Sequence, residues 1–463
     1  MVLPTALLLF PVLVASPRAL VAPNDGSADD TRASVPFSGP ITFEFHPDPQ
    51  DDDLERRVQV LERMATELQE RLQSEHSATV VEFTRIEELV GSVTDAGRVG
   101  APISGFRIGD TTLRIGGYVD FDFHTTAFDD GALPSGSPAR DFYIPGATPV
   151  GGERTTTSDM TAQSTRFSVA ATREVGDALA TAYLETDYIV TTEGNERVSS
   201  SFAQRLRRAY VDYAGWRIGQ EWTTFQDLSV IPESASFLAL SNAMPFNRQA
   251  LIRYTRGPWQ FAAENGNTTL TATDGSRIEA DSNTVPDLVA RYNLSGAFGK
   301  ASLSGLARQL RSENASADDE TFSFGLALQG RLAVGERDDV RFALVGGEGL
   351  GRYVGLNATN AAAVDPVGGA IEAISSFGGL VAWRHPIGET SRVNFGYSGL
   401  FIDNPDFVVG TANRSLQSFY AAFLWDVAPK VTAGVEVLHG MRETEDGQRG
   451  ELTRGTFSIQ YGF

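Results

Sequence analysis

Five arginines in this 463-residue chain, Arg114, Arg166, Arg208, Arg217 and Arg253, each stand beside an apolar neighbour: Ile115, Phe167, Ala209, Ile218 and Ile252. A guanidinium keeps its charge at any physiological pH and presents paired donors that match a carboxylate. Lys300 and Lys430 are the only lysines, so arginine supplies nearly all the positive charge of a chain whose formal net charge is −21. That acidity disfavours nucleic acid as a partner, because phosphate binding needs a net basic surface. Cysteine is absent, which removes disulfide and thiolate chemistry. Taken singly, each arginine also fits an ordinary ion pair with Asp or Glu. As a set concentrated in one part of the chain, they suggest recognition of anions.

Catalytic chemistry finds little support. Gly396-Tyr397-Ser398-Gly399 sits inside an alternating segment with no helix after it, so it is no nucleophile elbow. Gly296 to Ala301 lacks the spacing of a phosphate loop. His46, His76, His124, His385 and His439 occur singly, without a ligand pair at helical or hairpin spacing. No cofactor or metal is implied, and a hydrolase survives only as a rival class.

The elements that must position the arginines have a period of two. Leu113, Ile115, Val119, Phe121 and Phe123 alternate with Arg114, Tyr118, Asp120, Asp122 and His124. The last residues repeat the scheme, with Phe457, Ile459, Tyr461 and Phe463 set against Thr456, Ser458, Gln460 and Gly462. Fourteen further segments alternate in the same way between them, which predicts sixteen strands over residues 106–463. Links after even-numbered segments are short, among them Ala214-Gly215 and Gly257-Pro258. Those after odd-numbered segments are generally long, as over 125–162, 224–247 and 348–378. A soluble sandwich has no reason to sort its loops by parity, whereas an outer-membrane barrel does, with its tight turns in the periplasm.

Alternation alone does not say which face meets water. Size does, because sixteen strands close too widely to be filled by side chains and must enclose an aqueous channel. The apolar face then points at lipid. An arginine on that face at mid-bilayer would cost about 2–4 kcal/mol, so the arginines belong on the lumen side. The expected fold is all-β, a 16-stranded antiparallel transmembrane β-barrel preceded by an N-terminal helix.

That helix comes from heptads. Leu54, Val58, Leu61, Ala65, Leu68 and Leu72 recur at four- and three-residue steps, falter at Glu75 and Thr79, and resume through Phe83, Ile86, Leu89 and Val93. So narrow an apolar stripe suits a coiled coil over 54–95, with an amphipathic helix packed on its own protein as the alternative. Residues 23–53 are rich in Pro, Asp and Ser and read as a solvated linker. Residues 1–22 resemble a secretory signal, although no basic residue precedes the apolar core, and a disordered apolar tail fits the same residues. With an even strand count both chain ends fall on the periplasmic side, and the helix would hang there.

The link from Phe225 to Asn247 is unlike a solvated loop. Leu228, Ile231, Phe237, Leu238, Leu240, Met244 and Phe246 give it the apolar content of a core. Folding into the barrel would bury them and narrow the channel; packing on a neighbouring subunit is the other way to cover them. The acidic runs Asp129-Asp130 and Asp318-Asp319-Glu320 fall in external loops, as solvated charge or as bridges to lipopolysaccharide through divalent cations.

At these residues a family comes into view. Arg208-Ala209-Tyr210, Trp216 to Trp222, Thr223-Thr224-Phe225-Gln226-Asp227 and Pro245 to Tyr254 resemble the DcaP-type outer-membrane porins, whose periplasmic coiled coil before sixteen strands also matches this order. The resemblance implies a homotrimer embedded in outer-membrane lipid that takes up small anionic solutes such as dicarboxylates. It also implies that Arg208, Arg217, Arg248 and Arg253 contact the solute carboxylates near a constriction. Glu221 departs from that pattern, since a carboxylate there repels an anion or occupies an arginine. An envelope tether that works through residues 24–95 is the other class compatible with the same architecture.

Overall fold

The computed structural model describes residues 105–463 except 191, 192, 281, 315, 316 and 336. The signal-like segment 1–22, the linker 23–53 and the heptad helix 54–95 lie outside the described residues. Alternating side chains with no helix-forming period produce a single closed antiparallel wall. Its first four strands are β1 (Thr111–Phe128), β2 (Thr155–Thr161 continued by Arg166–Val175), β3 (Ala178–Asp187) and β4 (Arg205–Tyr213). Then come β5 (Trp216–Trp222), β6 (Arg248–Arg256), β7 (Trp259–Glu264) and β8 (Asp287–Gly296). The third quarter is β9 (Gly299–Asn314), β10 (Ala317–Val334), β11 (Asp338–Glu348) and β12 (Ser375–Ile387). The last is β13 (Ser391–Asp403), β14 (Asn413–Ala428), β15 (Val431–Thr444) and β16 (Arg449–Gly462).

Closure is made by β16 on β1, in register from Tyr118 opposite Gly462 to Phe128 opposite Leu452. The sheet has eighteen bonded segments but sixteen wall strands, because Phe106–Ile108 is a short lead-in on β1 and β2 is interrupted at 162–165. Short links join even to odd strands as expected. At Ala214-Gly215, both residues adopt positive φ, 49° and 87°, the two-residue turn whose twist matches a hairpin.

The faces are inverted relative to a water-soluble sheet. Phe324 and Leu326 are each 64% exposed on the outer phase of β10, while Asp122 and His124, on the inner phase of β1, are 1% and 0% exposed. So much exposed hydrocarbon is stable only in contact with lipid. Aromatic pairs collect beside the short turns: Trp216 with Tyr254 at 4.7 Å, and Trp259 with Tyr292 at 4.6 Å. They mark the girdle at the level of the headgroups. Among the described residues no helix is long and apolar enough to cross a membrane.

The long links fold inward. The β1–β2 link carries a one-turn helix, α1 (Pro138–Asp141), capped by the Ser137 side chain. The β7–β8 and β11–β12 links meet in a small four-stranded sheet of Thr268–Thr271, Arg277–Ala280, Ala362–Val364 and Ile371–Ala373, where Leu270 pairs in parallel with Ala362. The β5–β6 link buries Phe225, Val230, Leu238, Leu240 and Met244 against inward side chains such as Leu306, Val345 and Leu380. Each such burial contributes about 1.5–3 kcal/mol, enough together to hold the loop on the inner wall of its own barrel rather than on a neighbour.

Candidate functional site

The candidate constriction lies between that inward loop and the wall β3–β6, where Phe237 of the loop comes within 5.8 Å of the Arg207 guanidinium. A β-bulge begins it. Glu185 on β3 faces Arg208 on β4, but the next residue, Thr186, faces Leu206, so Arg207 is an extra residue with no partner position. An inserted residue breaks the alternation. Leu206 still points to lipid, and Arg205, Arg207 and Arg208 all reach groups on the lumen side. Arg205 donates to Asp187 at 2.9 and 3.1 Å, and Arg207 donates to Glu185 at 2.7 Å and Asp187 at 2.6 Å. Arg207 is 2% exposed, with its guanidinium 5.9 Å from the Trp222 ring and 5.8 Å from that of Phe237 on the loop.

Below the bulge, guanidinium planes and tyrosine rings alternate. Arg208 lies over Tyr183 at 4.7 Å and Tyr210 at 5.4 Å, and Arg217 lies over the other part of this stack, 4.0 Å from Tyr210. Glu221 accepts Nε and Nη2 of Arg208 at 2.7 Å each and Nη1 of Arg217 at 2.5 Å. Asp212 accepts Nε and Nη2 of Arg217 at 2.7 Å each. Such two-point contacts fix orientation as well as charge.

The six arginines singled out by sequence do not all play one part. Arg166 sits on the Tyr118 ring at 5.0 Å, with Glu185 3.8 Å away. Arg208 and Arg217 form the ladder. Arg248, where the loop rejoins β6, stacks on Trp222 at 4.4 Å and makes no ion pair with a described residue; its buried Nη1 lacks a hydrogen-bond partner. Arg253 was expected among the groups facing the solute. It is instead covered by the loop, donating to Thr224 Oγ1 at 2.7 Å and to the Trp222 carbonyl at 2.5 Å, because the chain turns inward directly after β5. Arg114 is exposed near the turn end of β1, away from the constriction, with no ion pair among the described residues.

Arg205 and Arg207 escaped sequence reasoning, which assumed strict alternation. The signal was present in Arg207-Arg208, since two adjacent arginines in an alternating strand would put one into lipid at a cost of about 2–4 kcal/mol unless a bulge turns both inward. On the opposite side the loop's two acids, Asp227 and Glu233, are already used, Asp227 by the Ser229 amide at 2.9 Å. Glu233 receives Arg392 at 2.5 Å, Arg384 at 3.0 Å and Arg341 at 3.5 Å. Glu436 on β15 accepts the Ala235 amide at 3.0 Å and Ser236 Oγ at 2.7 Å, pinning the loop's middle to the wall. On the strands β3–β6 themselves, therefore, seven arginines (205, 207, 208, 217, 248, 253, 256) stand against four carboxylates (Glu185, Asp187, Asp212, Glu221).

A closed sixteen-strand wall with an inward loop and a charged bore is the plan of a diffusion channel, and residues 103–367 match the profile of the Porin subfamily. The chain belongs to that family. It is an outer-membrane channel protein and not an enzyme. The fold resembles the outer membrane channel DcaP of Acinetobacter baumannii, with TM-score 0.66 and 24% identity over 78% of this chain and 100% of that one. An anion-selective porin from Comamonas acidovorans is similar in fold at TM-score 0.50 and 12% identity, over 76% of this chain and 100% of that one. No curated protein sequence matches the chain. The resemblance to DcaP-type porins drawn from residues 205–256 thus holds for family and fold.

Proposed function

We propose that this porin passes small anionic solutes, dicarboxylates among them, by passive diffusion along the arginine face of its constriction. One observation carries the proposal: along β3–β6 the arginines outnumber the carboxylates, and Arg248 is held by an aromatic ring and no acid. The field in a narrow bore follows the uncompensated charge, so anions are enriched there and cations depleted.

The paired arginines serve a different end. A guanidinium already engaged by Glu221 or Asp212 has donors left for a passing carboxylate but no large free energy to gain from it. A solute moves from one fork to the next without being trapped, which permeation requires. Three chains associating in the outer membrane, with residues 54–95 coiled in the periplasm and lipopolysaccharide around the long loops, complete the proposal.

The test is electrical. In a planar bilayer with a KCl gradient the reversal potential should take the sign of chloride preference, and succinate should interrupt the current. Cation preference would sink the proposal.

A further inference from the structure

We propose a second anion site at the extracellular mouth, where Arg277 and Arg442 line one small polar cavity that receives the carboxylate of an incoming solute before it reaches the constriction. This rests on the anion-channel proposal and extends it to the approach path. The cavity has a volume of about 160 Å³, and Thr271, Asn360, Asn404 and Asn413 complete its polar lining. Three separate links build it: the hairpin that carries Arg277, the segment around Asn360, and the β13–β14 link.

The two arginines differ from those of the constriction in what holds them. Arg277 donates Nε to Asn360 Oδ1 at 2.7 Å and Nη2 to the Asn357 carbonyl at 2.8 Å. Arg442 donates Nε to Asn413 Oδ1 at 2.6 Å and Nη1 to the Thr148 carbonyl at 3.0 Å. Every acceptor is neutral, and neither arginine makes an ion pair with a described residue. Arg277 Nη1 and Arg442 Nη2 make no hydrogen bond among the described residues. The amide groups are themselves fixed: Asn360 Nδ2 donates to Thr271 Oγ1 at 2.8 Å, and Asn413 Nδ2 donates to the Ala358 carbonyl at 2.6 Å. Neutral acceptors thus orient two full positive charges without cancelling them, which is how a site is left open to an anion.

Neither of two neighbouring acids forms an ion pair with Arg277 or Arg442. Glu445 accepts from Asn404 Nδ2 at 2.8 Å, and Asp446 accepts from Thr444 Oγ1 at 2.6 Å and Gln448 Nε2 at 2.9 Å. Position then separates a solute from a lipid phosphate. Arg442 shares the inward phase of β15 with Glu436, Leu438 and Gly440, all buried, so its guanidinium is on the lumen side and not on the lipid face. The ligand class is a small oxyanion, with a carboxylate of the permeating solute as the occupant.

The experiment uses the full chain in planar phosphatidylcholine bilayers free of lipopolysaccharide, with succinate added to one side at a time. Two variants are compared with the unaltered chain: Arg277→Gln, a change on an exposed hairpin, and Arg277→Gln with Arg442→Gln. The double variant should slow succinate association from the long-loop side by about fivefold or more, as loss of electrostatic capture does. Association from the turn side and the residence time should stay within about twofold. Arg277→Gln alone should give an intermediate slowing from the same side. Equal association from the long-loop side in all three proteins overturns the mouth site while leaving the constriction intact. If the unaltered chain shows no succinate block at all, the underlying channel proposal fails first.

Discussion

Glu221 and Arg208 meet fork to fork, with two contacts of 2.7 Å, and the same carboxylate reaches Arg217. An acid that looks misplaced beside an anion path is the anchor that holds two guanidiniums in one orientation. At 1% exposed it contributes its charge to the bore without offering itself to the solute.

Replacing Glu221 by Gln should therefore raise anion preference and lengthen succinate residence, because two forks are released from a counter-charge. The same change should lower unfolding stability by about 3–5 kcal/mol, the usual cost of stripping one partner from a buried ion pair. Reversal potentials and denaturant unfolding of the refolded barrel measure the two effects. A porin with lower anion preference after the change would show that Glu221 does not hold those arginines in check.

Arg248 and Arg253 should separate cleanly. Arg248→Ala removes a charge that no acid offsets and should shift the reversal potential toward zero. Arg253→Ala removes both an unpaired charge and the clasp on Thr224 and the Trp222 carbonyl, and should add noisier open-channel current to a reversal-potential shift of the same sign. Identical phenotypes would mean that one of the two has been given the wrong role.

Asp141, in the β1–β2 link, has its carboxyl pushed up to about 6, first by burial and then by Glu196 and Asp159, against the pull of Arg454 and Arg140. Its proton is bound more tightly in the folded loop than in an unfolded chain, where a carboxyl titrates near about 4. Stability of the link is thus full below the unfolded value and falls as pH rises through the folded one. Hydrogen-exchange protection over residues 133–148, corrected for the pH dependence of intrinsic amide exchange, should be greater at pH 5 than at pH 7.5, and Asp141→Asn should abolish the difference. Equal protection in the unaltered chain at both pH values would count against the shift.

Deleting residues 24–95 should leave barrel insertion intact and weaken association of the three chains, read as dissociation at lower temperature in mild detergent. Failure to insert would place a necessary part of the folding unit before residue 106.

The wall was legible because lipid on one side and water on the other force a strict two-residue period, and because turn length reports which end of a strand it joins. The apolar content of Phe225 to Asn247 required it to be covered, by the bore or by a neighbour, and its packing on Leu306, Val345 and Leu380 puts it inside. The bulge at Arg207 could not be placed by periodicity, since the count of residues in β4 is unchanged by where the irregularity falls, and only the pairing with Glu185 and Thr186 locates it. Arg253 was assigned to the solute path for its phase, which is right, but phase is blind to the loop that lies across it. The sheet joining Leu270 to Ala362 was equally hidden, because strands of three or four residues in links ninety positions apart leave no local pattern.

The extra residue at Arg207 changes how many charged groups a hairpin arm turns toward the axis without altering strand number. Charge density and strand count therefore become separate variables in this architecture. One inserted residue in β4 is enough to add a guanidinium to the interior while the cylinder keeps its sixteen strands.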